Sequence, residues 1–238
     1  MNPAPKLDVS GLRGWYGQAQ ILFDVALQVG QGEVVALLGR NGAGKSTTFR
    51  AIAGLLERRA GRVIFEGHDL SARPTYEVVR HGLAFVPEDR RIFSDLTVEE
   101  NLAVGRQKPR AGVPVWTPDR LYTLFPNLGA MKNRPGGAMS GGEQQMLTIA
   151  RSLMGNPSLV LLDEPSEGLA PKIVEDMARA ILQLKREGLS ILLSEQNLHF
   201  ARLISDRAII IERGQVMLEG TIAEIDSNPK TSEAYLAM

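Results

Sequence analysis

Apolar positions in this chain fall into two kinds of stretch: short continuous runs, and longer segments where they recur every three or four residues. The short runs are 33–39 (EVVALLG), 62–65 (RVIF), 83–87 (LAFVP), 158–164 (SLVLLDE), 190–195 (SILLSE) and 208–212 (AIIIE). Several are apolar throughout, as strands covered on both faces must be. Segments 45–56, 74–81, 143–154, 171–186 and 197–203 have helical spacing. Strand and helix alternate, which predicts a layered α/β fold with a mainly parallel sheet. The N-terminal segment differs. LDVSGLRGWYG and ILFDVALQVGQG read as strands with turns and no helix between them, hence a small antiparallel β subdomain. Residues 94–155 offer no convincing strand and predict a helical lobe, with the Pro- and Gly-broken stretch 107–118 as a surface loop.

Length and charge narrow the picture. The 238 residues are enough for a sizeable core and are read as one domain, 1–238. Acids and bases balance at 27 each, so there is no electrostatic case for nucleic acid as a partner. The absence of cysteine excludes disulfides and thiolate chemistry. The opening MNPAPKLDVS lacks a basic stretch followed by an apolar core, and no apolar run reaches the roughly 18–20 residues that span a bilayer. A cytoplasmic protein is expected, acting at a membrane only through another protein.

The strongest chemical signal is GRNGAGKST at 39–47, which fits G-x-x-x-x-G-K-[ST] and lies between a predicted strand and a predicted helix. Gly39, Arg40, Asn41, Gly42, Ala43 and Gly44 form a loop whose backbone N–H groups can turn inward around a phosphate, aided by the positive end of the helix. Lys45 adds a mobile charge for the β- and γ-phosphates, and Ser46 a hydroxyl for Mg²⁺, with Thr47 following. The run 159–165 (LVLLDEP) ends in two acids, Asp163 and Glu164, at the strand end where open α/β sheets bind ligands. Asp163 suits a Mg²⁺ ligand, and Glu164 suits a holder of the attacking water. A second serine-led glycine turn, MSGGEQQ at 139–145, has capping-box spacing from Ser140 to Glu143. Its backbone N–H groups, from Gly141 and Gly142 onward, also form an anion site. Local spacing is compatible with both readings.

SGGEQQ followed by LLDEP, downstream of this phosphate loop, resembles the ATP-binding subunit of an ABC transporter, over essentially the whole chain. The resemblance implies a P-loop NTPase (RecA-like) core with an N-terminal antiparallel β subdomain and an inserted α-helical subdomain near 94–155. It implies ATP and Mg²⁺ as cofactors and a head-to-tail dimer with a second ATPase subunit. In that dimer Ser140, Gly141, Gly142 and Glu143 would cap the γ-phosphate of the ATP held by the partner. It further implies adenine stacking by Tyr16, with Trp15 as the neighbouring alternative.

The chain departs from the family pattern in several places. Met139 replaces Leu at the start of the signature turn. Glu88 stands where a glutamine usually touches Mg²⁺, and Gln196 where a histidine usually contacts the γ-phosphate. Gln196 can donate a hydrogen bond but cannot become cationic. His199, three residues on, is a weaker alternative switch, and His68 and His81 have no supporting constellation. Ala170 lacks the carboxylate often found after the acidic strand end. VPEDRRIF, DEPSEGLAP, EQN and the terminal SEAYLAM together resemble the second ATPase subunit of branched-chain amino-acid-type ABC importers. That branch implies transmembrane permease partners, indirectly a periplasmic or extracellular solute-binding protein, and a peripheral place on the inner face of the membrane. Competing classes are an ABC-type ATPase acting on DNA or chromosomes, which would need sustained heptads, and a phosphotransferase, which would have no use for SGGEQQ.

Overall fold

The computed structural model describes residues 4–227. The terminal SEAYLAM lies outside the described residues. The N-terminal segment pairs as expected. Strands β1 (Leu7–Tyr16) and β2 (Ala19–Val29) are antiparallel, and β4 (Arg58–Phe65) pairs with the other side of β1. The run 62–65 is thus the end of a longer strand belonging to this antiparallel sheet. The two-residue strand β5 (His68–Asp69), too short to show in the apolar pattern, completes its order β2-β1-β4-β5.

The second sheet has six strands in the order β10-β9-β3-β8-β7-β6. These are β3 (Val34–Leu38), β6 (Leu83–Val86), β7 (Leu159–Asp163), β8 (Ser190–Glu195), β9 (Arg207–Glu212) and β10 (Gln215–Thr221). Neighbours from β9 through β6 are parallel, whereas β10 returns antiparallel to β9. β10 alternates exposed and half-buried residues, an edge strand that a search for continuous apolar runs passes over.

The fully apolar strands are explained by two separate cores. Alternate residues of one strand point to opposite faces. Val34, Ala36 and Leu38 pack with the helical lobe and the helices beneath it, while Val35 and Leu37 pack with the antiparallel sheet and α1 (Lys45–Ile52). β7 divides in the same way, Val160 and Leu162 to one core and Leu159 and Leu161 to the other.

Helix α2 (Thr75–His81) precedes β6. Between β6 and β7 the described elements are helical: α3 (Val98–Gly105), α4 (Pro118–Leu124), α5 (Pro126–Ala130), a 3₁₀ turn and α6 (Gly141–Leu153). The stretch 107–118 is irregular as expected, but it is not purely surface. Trp116 is buried, its backbone N–H donates to Asn156 Oδ1 at 2.7 Å, and Arg110 donates to the carbonyls of His81 and Asn156. The predicted helix 45–56 ends at Ile52, because Gly54 turns left-handed, φ 76°, with the Gly54 and Leu55 N–H groups closing on the carbonyls of Ala51 and Arg50, and Leu56 beyond it joins the core under the antiparallel sheet. Helices α7 (Pro171–Arg186), α8 (Leu198–Ile204) and α9 (Ile222–Asp226) complete the chain. Among the described residues no helix is long and apolar enough to cross a membrane.

Candidate active site

The turn from β3 into α1 carries the phosphate loop. Gly42 and Gly44 adopt φ of 78° and 111°, conformations that open the loop and that side chains rarely tolerate. Lys45 begins α1 and is only 4% exposed. Its Nζ donates to the carbonyl of Gly39 at 2.7 Å and lies 2.9 Å from Glu164 Oε1. Both members of this ion pair are buried, so the lysine charge sits in the loop with an internal counter-charge. The separate roles expected for Lys45 and Glu164 thus come together in one contact that spacing along the chain does not predict.

Parallel pairing of β3, β8 and β7 brings three strand ends side by side. At the end of β7, Asp163 Oδ1 accepts from Ser46 Oγ at 3.0 Å and from Ser194 Oγ at 2.6 Å. Burial pushes the Asp163 carboxyl up from its ordinary range, against the opposing effect of these two hydroxyls. Glu164 follows in a left-handed conformation, φ 48°. Such a conformation is strained for a side chain other than glycine and is held here by its N–H donating to the carbonyl and hydroxyl oxygens of Ser194, each at 3.1 Å.

β8 contributes the third strand end. Gln196 Nε2 lies 3.3 Å from both carboxylate oxygens of Glu164. His199, on the first turn of α8, is exposed. Before Gln196 comes Glu195, 1% exposed, with burial as the main cause of a carboxyl pushed up to about 7. Glu88 follows β6. Loss of solvation, then the charges of Glu167, Asp163 and Glu164, push its carboxyl up as well.

The serine-led turn is built elsewhere. Ser140 is the N-cap of α6, and the capping box is present in both directions: Ser140 N–H donates to Glu143 Oε2 at 2.7 Å, and Glu143 N–H to Ser140 Oγ at 3.4 Å. A Cβ on Gly142 would stand 2.7 Å from Ile173 Cγ2, so glycine there lets α6 approach α7. Met139 is buried against the core of the helical lobe. The bonds of Ser140 to Glu143 are local and do not join it to the Lys45–Glu164 cluster. The two glycine loops are therefore separate features of one chain. The loop after β6 connects them: Thr148 Oγ1, on α6, donates to the carbonyl of Arg90 at 2.7 Å, two residues from Glu88.

Of the aromatics, Tyr16 is 44% exposed and its hydroxyl accepts from Arg50 at 3.1 Å. Trp15 is covered by the Arg58 guanidinium at 4.8 Å, which leaves Tyr16 the freer ring. His68 and His81 face one another with centroids 4.6 Å apart. Ala170 is the N-cap residue of α7 and makes no side-chain cap bond.

The donor set suits Mg²⁺. It offers one hydroxyl and one carboxylate already in contact, Ser46 and Asp163, with a further carboxylate, Glu88, raised first by loss of solvation and then by neighbouring acids that include Asp163. The described residues hold no cluster of three or more His, Cys, Asp or Glu able to enclose a metal. A hard cation that keeps waters and shares phosphate oxygens needs only such a partial set. Sequence reasoning missed Ser194 and Glu195. Both lie inside an apolar-looking strand, and only the β7–β8 pairing brings Ser194 opposite Asp163.

The model of the ABC transporter family matches residues 22–167. Among curated proteins, the chain is 45% identical over 225 residues to the high-affinity branched-chain amino acid transport ATP-binding protein BraG of Pseudomonas aeruginosa, covering 93% of this chain and 95% of that one. It is 34% identical over 232 residues to the lipopolysaccharide export system ATP-binding protein LptB of Escherichia coli, covering 97% and 96%. Among solved structures, an ATP-binding cassette of an ABC transporter in its ADP conformation superposes with a TM-score of 0.82 at 28% identity, over 97% of this chain and 98% of that one.

Proposed function

The chain belongs to the ABC transporter family of ATPases, and from that membership we propose that it is the ATP-hydrolysing motor subunit of an importer. Its 1–238 acts as one ATP-binding domain on the cytoplasmic face of the membrane, attached through permease subunits. The cargo is branched-chain or other amino acids, or related small polar solutes. The higher identity to the amino-acid relative, 45% against 34% for the export relative, favours import. A periplasmic or extracellular binding protein delivers the solute, and nucleic acid has no part.

The observation that carries the enzymatic reading is the convergence of Lys45, Ser46, Asp163, Glu164 and Gln196 where the phosphate loop meets the ends of β7 and β8. The loop from Gly39 to Thr47 holds the phosphates of ATP, with Tyr16 under the adenine. Lys45 exchanges its internal carboxylate for the β- and γ-phosphates, which releases Glu164 to hold the attacking water. Gln196, already within reach of Glu164, donates its amide toward the γ-phosphate. Ser46, Asp163 and Glu88 would hold Mg²⁺, which would supply positive charge against the phosphates. Ser140, Gly141, Gly142 and Glu143 complete the site of a second ATPase subunit, so ATP closes the dimer and hydrolysis reopens it.

Mixing two inactive variants tests the shared site. Lys45→Ala spoils the phosphate loop and Ser140→Arg the signature turn. Mixed dimers keep one intact site only if the signature serves the partner, so ATP-dependent closure should return on mixing. No recovery, with subunit exchange independently demonstrated, would remove the cross-subunit role. For the cargo, loss of labelled leucine uptake on deletion of the gene, restored by the wild-type chain, is expected. Unchanged uptake across the branched-chain amino acids would turn the search to the other solutes.

A further inference from the structure

We propose that Glu195 is a positioning residue for ATP hydrolysis, its carboxylate tying together the two turns that present Glu164 and Gln196. This rests on the reading of Glu164 as the holder of the attacking water.

Glu195 is the last residue of β8 and is 1% exposed. One carboxylate oxygen accepts from the N–H of Ser166 at 3.1 Å, and the other from the N–H of Asn197 at 3.3 Å. Ser166 lies in the tight turn that Glu164 opens, closed by the Glu167 N–H donating to the Glu164 carbonyl at 3.2 Å. Asn197 directly follows Gln196 and caps α8, its Oδ1 accepting from the Phe200 N–H at 3.1 Å. The amide of Gln196 then returns to Glu164 at 3.3 Å. The links form a ring from Glu164 through Ser166, Glu195, Asn197 and Gln196 back to Glu164. Both side chains assigned to the reaction sit on this ring, and the Glu195 carboxylate accepts backbone N–H groups from both turns.

Burying a carboxylate is costly unless its acceptors are used. An apolar side chain would extend the run of β8 without that penalty, so the acid is explained by what it holds. One need is evident. Glu164 has a strained left-handed backbone, which persists only where its surroundings restrain it. Ser194 restrains it from the N–H side, and Glu195 restrains the turn two residues later. Glu195 reaches the reaction through Glu164 and Gln196.

The test uses the full chain, with single-turnover phosphate release, fluorescent ATP binding and thermal unfolding. The variants are Glu195→Ala, Glu195→Gln, Glu164→Gln, Gln196→Ala and their combinations. Glu195→Ala should slow hydrolysis about ten- to a hundred-fold, the range for loss of alignment, while ATP affinity stays within about two-fold. Glu195→Gln keeps an acceptor for Ser166, but its NH₂ cannot accept from Asn197, so an intermediate rate is expected. The decisive measurement adds Glu195→Ala to a background that carries both Glu164→Gln and Gln196→Ala. If Glu195 works by placing those two groups, the residual rate there should fall by less than about two-fold, because what it places has already been removed. Losses that multiply in full would assign Glu195 a purely structural part and overturn the proposal. A wild-type rate in Glu195→Ala beside a slow Glu164→Gln overturns it as well. A wild-type rate in Glu164→Gln would instead sink the assignment of Glu164. Should Glu195→Ala fail to fold, Glu195→Gln carries the same comparison in both backgrounds.

Discussion

Lys45→Ala should destabilise the nucleotide-free protein, not only disable it. The ion pair with Glu164 is 2.9 Å long and the two side chains are 4% and 5% exposed. Removing one partner of such a pair leaves an uncompensated buried charge and costs about 3–5 kcal/mol. The Gln196 amide within 3.3 Å of the same carboxylate softens the loss, so the lower end, about 3 kcal/mol, is expected. For a chain of this size that lowers the melting midpoint by about 6–12 °C. In a Glu164→Gln background there is no charge to strand. There, Lys45→Ala removes mainly the bond to the Gly39 carbonyl, about 1 kcal/mol. The coupling between the two positions is therefore about 2 kcal/mol. Urea unfolding of the wild type, both single variants and the double, all without nucleotide because bound ligand would add its own stabilisation, measures it. If the two effects add to within about 0.5 kcal/mol, Lys45 and Glu164 are not a stabilising pair and the internal counter-charge has no energetic standing.

Gln196→Ala should slow hydrolysis and Gln196→His should retain it, whereas His199→Ala should leave the rate unchanged. The opposite pattern in steady-state phosphate release would move the switch to His199. Gly142→Ala forces a methyl to within 2.7 Å of Ile173 Cγ2, so it should cost about 1–3 kcal/mol of overpacking, offset by up to about 1 kcal/mol of helix propensity. A net loss of midpoint that Ile173→Ala relieves in the double variant would confirm that contact, and no relief would exclude it. Glu195 binds its proton more tightly in the folded protein, near 7 against the ordinary 4.5. Its contribution is therefore present below the unfolded value and is lost as pH rises through about 7. Wild type should lose more stability than Glu195→Gln between about pH 5 and pH 8 by urea titration, and parallel curves would contradict the shift.

The chain's pattern determined a good deal by itself. The phosphate loop and the acidic strand end are each contiguous and depend on backbone conformation over a few residues, so the chemistry they offer is readable where they stand, whereas the serine-led turn reads equally as a helix cap and takes its further role only from the family resemblance. The two-faced strands were readable too, because burial on both sides leaves no polar positions in the run. Tertiary structure decided the rest. The assignment of 62–65 to the antiparallel sheet depends on pairing with β1, and the edge strand β10 alternates too weakly to announce itself. The contacts of Lys45 with Glu164 and of Ser46 with Asp163 exist because β3 and β7 lie on either side of β8, bringing together residues far apart in the chain. Ser194 carried no signal, and Glu195 entered only as part of EQN, with no role attached. A serine and an acid at the end of an apolar run look like a strand leaving the core. Only the register that sets Ser194 opposite Asp163, and the turns that aim the N–H groups of Ser166 and Asn197 at Glu195, gives these two side chains their partners.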